Sequence, residues 1–369
     1  MKDTKPTLII ISPGFARNEQ DSTCLPAQQV LIKTLNKNYP ELQIIILAIE
    51  FPFHHSTYQW YGNTVIGFNA WKKSKLKKIR ILLDIWRTLK KLQQQHTIIG
   101  VLNFWCNYCA LIGKYFAKSH RLIHYSWILG QDAKKDNRYI RWIKPTPDEL
   151  IALSDFAAAT FYKNHQVLPR YVIPFGIDPS LFSNEDHSRD IDILGAGSLI
   201  PLKQYDIFIR LIGELTKTFP TIKTIICGKG PDKEKLQALI VKSGVEKNVS
   251  LLGERPHEEV LQLMQRTKIF LHPSLYEGFG VVCTEALYAG AHVISFCKPM
   301  NDAIHNWHIV KNEKDMLQKA VHLLQNDHLE HVAVMPYSTD DCSKKLMALF
   351  NYHTNIIVQS TTTEYVSQY

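Results

Sequence analysis

The chain has 369 residues, of which 45% are hydrophobic and 21% are charged. This length allows two domains of ordinary size, and the composition is typical of a globular protein rather than a disordered one. No apolar run approaches the ~18 residues of a membrane-spanning helix, and the apolar stretch near the N-terminus is too short for a signal peptide. The seven scattered cysteines, an odd number, favour reduced thiols and a cytoplasmic location.

The net charge of +9 is unevenly distributed along the chain. Residues 1–175 hold 24 Lys/Arg against 11 Asp/Glu, a balance of +13, whereas residues 176–369 hold 19 against 23, a balance of −4. Such a division predicts that the N-terminal half faces an anionic surface or partner, with nucleic acid and membrane as the usual candidates. We do not expect nucleic acid, because the sequence contains no recognised DNA- or RNA-binding module.

Strands and helices alternate along the first half of the chain, which predicts a parallel α/β sheet. The predicted strands lie near Leu8–Ser12, Gln43–Ile49, Ile98–Phe104, Leu122–Tyr125, Glu149–Leu153 and Arg170–Ile173. The predicted helices begin near Ala27, Lys75, Tyr108 and Asp155.

Residues 71–95 form a basic amphipathic segment within this half. Apolar residues recur there at helical spacing, and Lys and Arg occupy the remaining positions. The apolar positions are Leu76, Ile79, Leu83, Trp86, Leu89 and Leu92. The simplest interpretation is a helix that packs its apolar face on the sheet and leaves its charged face in solvent. Because a basic amphipathic helix can also lie on anionic lipid, residues 71–95 are the predicted contact with an anionic membrane.

The second half repeats the alternation after a predicted hinge near residues 174–176, which separates an N-terminal domain (1–174) from a C-terminal domain (175–339). Its predicted strands lie near Ile191–Leu194, Lys223–Ile226, Ser250–Leu252, Lys268–Leu271 and His292–Ser295. A helix is predicted over residues 340–353. The final residues, 354–369, have no helical pattern, which predicts a poorly ordered tail.

The pattern most specific for a ligand site lies within residues 272–295. A predicted buried strand is followed by Glu277-Gly278-Phe279-Gly280 and then by a predicted helix that contains Glu285. Glycine lets the backbone turn sharply and approach a ligand, and the start of a helix favours an anion such as phosphate. The two carboxylates are suited to accept hydrogen bonds from hydroxyl groups. The segment therefore predicts a ligand with both phosphates and polyol hydroxyls.

The E-x7-E spacing of this segment resembles the nucleotide-sugar glycosyltransferases of family 4, the glycosyl transferases group 1, of the bacterial surface-glycan type. Residues 192–206, 224–236 and 249–274 resemble the family in the same order. The resemblance implies the GT-B fold, an α/β architecture of two facing Rossmann-like domains with a cleft between them. It also implies that the helix over residues 340–353 crosses back to the N-terminal domain.

The resemblance further implies a retaining transfer of a sugar from a UDP or GDP sugar. The acceptor would be a hydroxyl group of a glycan or lipid-linked molecule in cell-surface polysaccharide synthesis. No cofactor or metal is required in such enzymes. The implied location is cytoplasmic, with peripheral association with the inner face of a membrane.

The resemblance also assigns roles to residues of the C-terminal domain. Lys203 would stabilise the diphosphate leaving group, Glu277 would lie near the donor sugar, and Glu285 would bind the ribose. The other predicted contacts with the nucleotide sugar are Gly197, Ser198, Gly228, Lys229, Gly278, Phe279 and Gly280. Ser198 stands where the family usually has an arginine, so Lys229 or Arg255 would have to compensate.

In the N-terminal domain, Gly14 follows the first strand and would let its loop approach the donor phosphates. By resemblance the loop after the strand of His124 lies at the cleft, so His124 or Asp132 would contact the sugar or the acceptor. The alternative for His124 is a histidine that is hydrogen-bonded inside the core.

Two other functions remain open at this point. A nucleotide-sugar 2-epimerase of the GT-B fold would act without an acceptor. A non-catalytic protein that binds nucleotide sugars is also compatible with serine at position 198. The Asp190-Ile191-Asp192 motif is interpreted as the entry to a strand. Cys106 and Cys109 form a single CxxC pair, which is insufficient for a zinc site, so no metal site is predicted.

Overall fold

A computed structural model describes residues 3–185 and 187–353 of the chain. The predicted tail over residues 354–369 lies outside the described residues. The protein contains two sheets, each flanked by helices, which confirms the predicted α/β architecture of two Rossmann-like domains. Within the described ranges, none of the helices combines the length and the hydropathy that crossing a membrane requires.

The N-terminal sheet has eight strands in the order β3-β4-β2-β1-β5-β6-β7-β8. All neighbouring strands are parallel except β3 and β4, which form an antiparallel hairpin. β1 and β2 are nearly continuous runs of buried aliphatic residues, as expected of central strands that are covered on both faces. The strands are β1 (Asp3–Gly14), β2 (Gln43–Phe51), β3 (Ser56–Trp60), β4 (Asn63–Gly67), β5 (His96–Phe104), β6 (Ile123–Ile128), β7 (Leu150–Ala152) and β8 (Tyr171–Val172).

The C-terminal sheet has six strands in the order β11-β10-β9-β12-β13-β14, and all of its strands are parallel. The order reverses between β9 and β12. In open parallel sheets a ligand binds beyond the carboxyl ends of the strands at such a reversal. The strands are β9 (Ile191–Ala196), β10 (Thr224–Cys227), β11 (Val249–Gly253), β12 (Thr267–His272), β13 (His292–Ser295) and β14 (Trp307–Ile309).

Helices connect most of the parallel strands and cover both faces of each sheet. Several begin at a side-chain cap, such as Ser154, whose hydroxyl accepts the Ala157 N–H. The helices are α1 (Pro26–Asn38), α2 (Lys75–Gln95), α3 (Tyr108–His120), α4 (Ile140–Ile143), α5 (Asp155–His165), α6 (Tyr205–Leu215), α7 (Lys233–Lys242), α8 (His257–Gln265), α9 (Val281–Tyr288), α10 (Glu313–Leu324) and α11 (Thr339–Leu349).

The chain passes between the two domains twice, and the two passages lie side by side. The Ile177 N–H donates to the Tyr337 carbonyl at 2.9 Å, and the Thr339 N–H donates to the Ile177 carbonyl at 3.0 Å. After the second passage α11 packs on α1 of the N-terminal domain, where the Asn38 amide donates to Asp340 at 2.9 Å. The final helix is therefore part of the N-terminal domain in space.

Three strands were not predicted from the sequence. β3 and β4 form a hairpin around Tyr61 and Gly62, which both have positive φ, and this turn matches the twist of paired strands. β14 has only three residues and pairs with β13 alone. Short strands at the edge of a sheet have little hydrophobic pattern, so the sequence signal for them is weak.

Helix α2 is present at the predicted start, but the predicted apolar face is wrong over half of its length. Leu89 and Leu92 are buried with Ile85 against the sheet, whereas Leu76, Ile79 and Leu83 are exposed. The exposed set and the buried set lie on different sides of the helix, so the predicted residues do not form one covered face. Helical spacing indicated an amphipathic helix, but not which apolar side the domain covers.

Candidate active site

The loop between β12 and α9 is held directly against the N-terminal domain. The Tyr276 hydroxyl donates to the Gly130 carbonyl at 2.8 Å, and the Ser154 hydroxyl donates to the Gly278 carbonyl. A side-chain atom added at Gly278 would lie 2.3 Å from the Leu129 carbonyl oxygen. Position 278 therefore accepts only glycine without a shift of one domain against the other.

Two cavities lie on either side of this contact. The first, of about 760 Å³, is lined by Glu285, Lys229, Arg255 and His257 of the C-terminal domain and by residues 22, 23 and 25–28 of the N-terminal domain. The second, of about 670 Å³, is lined by Tyr276 and by the loops that follow β5 and β6. We call them the Glu285 cavity and the Tyr276 cavity. Four residues line both and so mark the connection between them: Ser198, Ile200, Lys203 and Glu277.

Glu277 lies at this connection in a closely paired arrangement. Its carboxylate accepts a hydrogen bond from the Lys203 ammonium and another, at 2.9 Å, from His272 Nε2. Burial alone would raise the pKa of Glu277, but the His272 hydrogen bond and the Lys203 charge outweigh it and lower the pKa to about 2. Burial lowers the pKa of His272, which fits a neutral ring that donates from Nε2. Glu277 is therefore an ionised acceptor at neutral pH.

Glu285 is paired with a histidine at the start of α8. His257 Nε2 lies 2.7 Å from the Glu285 carboxylate, and both side chains are mostly buried. Burial would lower the pKa of His257, but the Glu285 charge and hydrogen bond outweigh it and raise the pKa above the ordinary 6.5. The His257 backbone N–H also donates to the Ser22 hydroxyl of the N-terminal domain at 3.1 Å. This histidine thus connects the carboxylate with the opposite wall of the Glu285 cavity.

Besides His257, three lysine and arginine side chains bring positive charge to the Glu285 cavity, and each is paired with a carboxylate. Lys203 contacts Glu277, Lys229 contacts Glu254, and Arg255 lies 3.7 Å from Glu259. Ser198, in the place of the expected arginine, is exposed to both cavities. Lys229 and Arg255 are thus in the cavity where they could compensate for that arginine.

The glycines at the carboxyl ends of β9 and β10 allow two loops to touch. A side-chain atom added at Gly228 would lie 1.8 Å from the Gly197 carbonyl oxygen. Both glycines have φ near +150°, which disfavours other residues. Both line the Glu285 cavity, as does Gly280, which precedes α9. The start of α9, with backbone N–H groups that lack helical partners, therefore faces the same space.

His124 does not lie where the sequence placed it. It is buried in the N-terminal domain and lines neither cavity. Its Nε2 lies 2.6 Å from the Asn103 side-chain oxygen, and burial lowers its pKa to about 4. His124 is therefore a neutral core histidine in this structure, which is the alternative that the sequence left open. A strand position next to a cleft loop does not show which face of the sheet a side chain occupies.

Asp132 lines the Tyr276 cavity, but its carboxylate is occupied. It accepts backbone N–H groups from Cys106 at 2.7 Å, Gly130 at 2.8 Å and Leu129 at 3.1 Å. Burial raises its pKa to about 6, although these hydrogen bonds favour the charged form. Asp132 ties the loop after β6 to the loop after β5 and so shapes the cavity.

Gly14 and Phe279, which were also predicted to contact the nucleotide sugar, pack inside the protein. Gly14 lies against Phe51, and a side-chain atom added there would be 3.1 Å from the Phe51 Cβ atom. Phe279 is fully buried and contacts the ring of Tyr337, with centroids 5.8 Å apart. Neither residue lines the cavities, so Phe279 anchors the Glu277 loop in the core and Gly14 allows close packing of β1 and β2.

Three residues of the site were not found from the sequence: His257, His272 and Tyr276. His272 ends β12 only five residues before Glu277, so a polar residue at the end of a predicted buried strand was the available signal. His257 lies 28 residues from Glu285, and nothing in the sequence indicates that they meet. The interdomain contact of Tyr276 depends on how the domains face each other.

Comparison with known proteins shows a similarity in the C-terminal domain. Residues 178–337 match the family described as "Glycosyl transferases group 1". The structure of HepE from Anabaena in complex with UDP and glucose is similar, with a TM-score of 0.63 at 14% identity over 93% of this chain and 97% of that one. This similarity shows the fold, which is GT-B.

Two curated proteins show how far the similarity extends along the sequence. The gpi3 subunit of phosphatidylinositol N-acetylglucosaminyltransferase from Schizosaccharomyces pombe is 30% identical over 174 residues, which cover 46% of this chain and 37% of that protein. An uncharacterized glycosyltransferase of Methanocaldococcus jannaschii is 22% identical over 317 residues, 79% of this chain and 87% of that one. The chain spans only about 24% to 37% of the length of its first curated relatives.

Proposed function

We propose that this protein is a retaining glycosyltransferase that moves a sugar from a UDP or GDP sugar to an acceptor hydroxyl group. The observation that supports this function is the connection between the two cavities at Lys203 and Glu277. A donor with its nucleotide in the Glu285 cavity would place its sugar at that connection. The Tyr276 cavity then offers the acceptor a place beside the sugar.

In this proposal Glu285, Lys203, Lys229 and Arg255 of the Glu285 cavity bind the donor. Glu285 accepts hydrogen bonds from the ribose hydroxyls, and the start of α9 faces the diphosphate. Lys203 stabilises the charge that develops on the diphosphate, with Lys229 and Arg255 as further cations. These cations support the expectation that transfer needs no added metal.

The proposed reaction exchanges one bond to the anomeric carbon for another. The bond between that carbon and the diphosphate oxygen breaks, and a bond to the acceptor oxygen forms on the same face of the sugar. The acceptor proton passes to the departing phosphate oxygen, so the nucleoside diphosphate and the glycosylated acceptor are the products. Glu277, held ionised by Lys203 and His272, would stabilise the positive charge that develops on the sugar ring.

We further propose a lipid-linked acceptor at a membrane. The name of the fission-yeast relative specifies phosphatidylinositol and N-acetylglucosamine, which makes UDP-N-acetylglucosamine and phosphatidylinositol the first pair to test. A lipid-linked glycan of cell-surface polysaccharide synthesis is the second. Either acceptor would place the protein as a peripheral component of a cytoplasmic membrane face, in keeping with the excess positive charge of residues 1–175.

Calorimetric titration with UDP, GDP and their sugar conjugates, without added metal, tests the donor site. We expect one nucleotide to bind and Glu285→Ala to weaken it by at least about tenfold, as loss of hydrogen bonds to a charged group predicts. Glu234→Ala, which changes an exposed glutamate of α7, is the matched control. Acceptor-dependent release of the nucleoside diphosphate then tests transfer. Binding without any turnover would instead support a non-catalytic protein.

A further inference from the structure

The N-terminal half of α2 and the loops beside it expose an unusual set of apolar side chains. Leu76 is 76% exposed, Ile79 55% and Leu83 52%, although all three lie in one helix. Phe53 and Trp71 are also exposed, and their rings lie next to each other, with centroids 6.3 Å apart. The exposed apolar residues are Phe53, Trp71, Leu76, Ile79, Leu82 and Leu83.

The same stretch is strongly basic. Residues 71–83 contain six basic side chains and no acidic one: Lys72, Lys73, Lys75, Lys77, Lys78 and Arg80. In the part of the chain that the structure describes, none of these six forms an ion pair; the first pair along α2 joins Asp84 and Arg87. We call these basic residues, together with the exposed apolar residues, the α2 surface.

Helix α2 has two apolar sides, of which one is buried and the other is exposed. Ile85, Leu89 and Leu92 share one side of the helix and are buried in the N-terminal domain. Leu76, Ile79 and Leu83 follow the spacing of another side, which the domain does not cover. The core of the domain therefore does not account for the second set.

We propose that the α2 surface docks on an anionic lipid surface. Exposed leucine, isoleucine and aromatic side chains gain stability when they enter the boundary between headgroups and acyl chains, while nearby lysines attract anionic headgroups. A nucleic acid would also pair with the six positive charges, but it would not provide an apolar layer for side chains distributed from Phe53 to Leu83.

The topology places the α2 surface at the carboxyl ends of the parallel strands, where the loops that line the Tyr276 cavity also lie. β2 and β4 run parallel to β1, β5 and β6. Phe53 follows β2, Trp71 follows β4, and the loops after β5 and β6 line the Tyr276 cavity. A membrane bound at the α2 surface would thus lie at the same carboxyl ends of the strands as the proposed acceptor site.

This inference uses the proposed function only for the consequence that a lipid-linked acceptor could reach the site. The binding itself is tested on the full-length chain by cosedimentation with vesicles of phosphatidylcholine, with and without phosphatidylserine. We expect binding only when phosphatidylserine is present, and weaker binding as salt rises.

Two variants test the apolar and basic parts separately: Leu76→Ser/Ile79→Ser/Leu83→Ser and Lys77→Glu/Arg80→Glu. Each is expected to lower vesicle binding by at least about tenfold. The matched control, Val241→Ser/Lys242→Glu, changes an exposed apolar and an exposed basic residue of α7 in the other domain and should bind as the wild type does. Thermal unfolding checks that each variant is folded.

The docking proposal is overturned if the wild type fails to bind phosphatidylserine vesicles at low salt, or if both α2 variants bind as well as the wild type. It is also overturned if the wild type is a dimer that the leucine variant dissociates and neither form binds vesicles, because the surface is then an interface between copies. UDP and GDP binding is measured in parallel. Vesicle binding without nucleotide binding would retain the docking surface and reject the proposed function.

Discussion

His257 Nε2 lies 2.7 Å from the carboxylate of Glu285, at the junction of the two walls of the Glu285 cavity. The same histidine reaches the N-terminal domain through its backbone N–H, which donates to Ser22. A carboxylate that binds ribose must be held in a fixed orientation, and His257 supplies the hydrogen bond that fixes it. We therefore expect His257 to act as a positioning residue for Glu285.

The first prediction concerns substitution of His257. His257→Ala should weaken binding of the preferred nucleotide by roughly ten- to a hundredfold, the effect of losing one hydrogen bond to a charged group. His257→Gln keeps a donor at this position and should restore most of the affinity. Calorimetric titration measures both variants. Equal affinities of the wild type and His257→Ala for the nucleotide would show that Glu285 does not need His257 to hold it in position.

The second prediction is the pH dependence of this pair. Lys33 and Glu258 also affect the charge of His257, but Glu285 is the main source of the raised pKa. Because the folded state raises this pKa, the pair stabilises the protein fully below pH ~6.5, and this contribution is lost as the pH rises through the raised value. The difference in Tm between the wild type and His257→Gln should therefore shrink as the pH rises above about 6.5 and through the raised pKa of His257. A constant difference would contradict the pairing.

The third prediction separates binding from transfer at Glu277. Glu277→Gln removes the charge that pairs with Lys203, so the ammonium becomes available to the diphosphate. Nucleotide binding should be unchanged or tighter, while transfer should fall by at least about a hundredfold, the usual cost of losing a charged group that stabilises a transition state. Calorimetry and acceptor-dependent release of the nucleotide measure the two effects. Loss of binding in Glu277→Gln equal to that in Glu285→Ala would contradict this division of roles.

The sequence predicts the elements of this site better than their contacts. The glycine-rich loop, Lys203 and Glu285 follow from strand, turn and helix signals that lie close together along the chain. Their partners His257 and Gly130 lie in distant segments, and only the packing of two sheets brings them near. His124 illustrates the same limit, because its strand is predicted correctly and yet its side chain is buried away from both cavities.

The prediction for α2 failed for a related reason. Helical periodicity correctly indicates an amphipathic helix, but α2 carries apolar residues on two sides, and their spacing does not show which side the domain covers. The core covers the side of Ile85, Leu89 and Leu92 and leaves Leu76, Ile79 and Leu83 exposed. Which side is covered depends on tertiary packing, which the sequence of one segment does not specify.

The fourth prediction tests the close approach of the two domains at Gly278. Gly278→Ala would place a methyl group 2.3 Å from the Leu129 carbonyl oxygen, so the loop or the domain must move. We expect a loss of about 1–3 kcal/mol in the free energy of unfolding, as for overpacking in a core, and slower transfer because Glu277 shifts with the loop. Gly213→Ala in α6 is the control, since nothing lies within 4 Å of the added atom and alanine favours a helix. Denaturant unfolding of both variants measures the contrast, and similar stability changes would show that the contact at Gly278 is not tight.

The fifth prediction concerns Ser198, which lines both cavities at their connection. Ser198→Arg adds a cation where the related family usually has one, beside Lys203 and the start of α9. The side chain has room because Ser198 is exposed to both cavities. If a diphosphate binds there, Ser198→Arg should increase the affinity for the preferred nucleotide by roughly five- to tenfold, an effect that decreases with salt.

Ser198→Gln, which has a comparable length but no charge, is the control for this gain. Nucleoside and nucleoside diphosphate are compared by calorimetry, since only the diphosphate should respond to the added charge. A gain with the nucleoside as well would mean that the arginine acts away from the phosphates. A loss of affinity for the diphosphate would mean that Lys229 and Arg255 already occupy the position that the new arginine needs. The arrangement of these two side chains would then require a small residue at position 198.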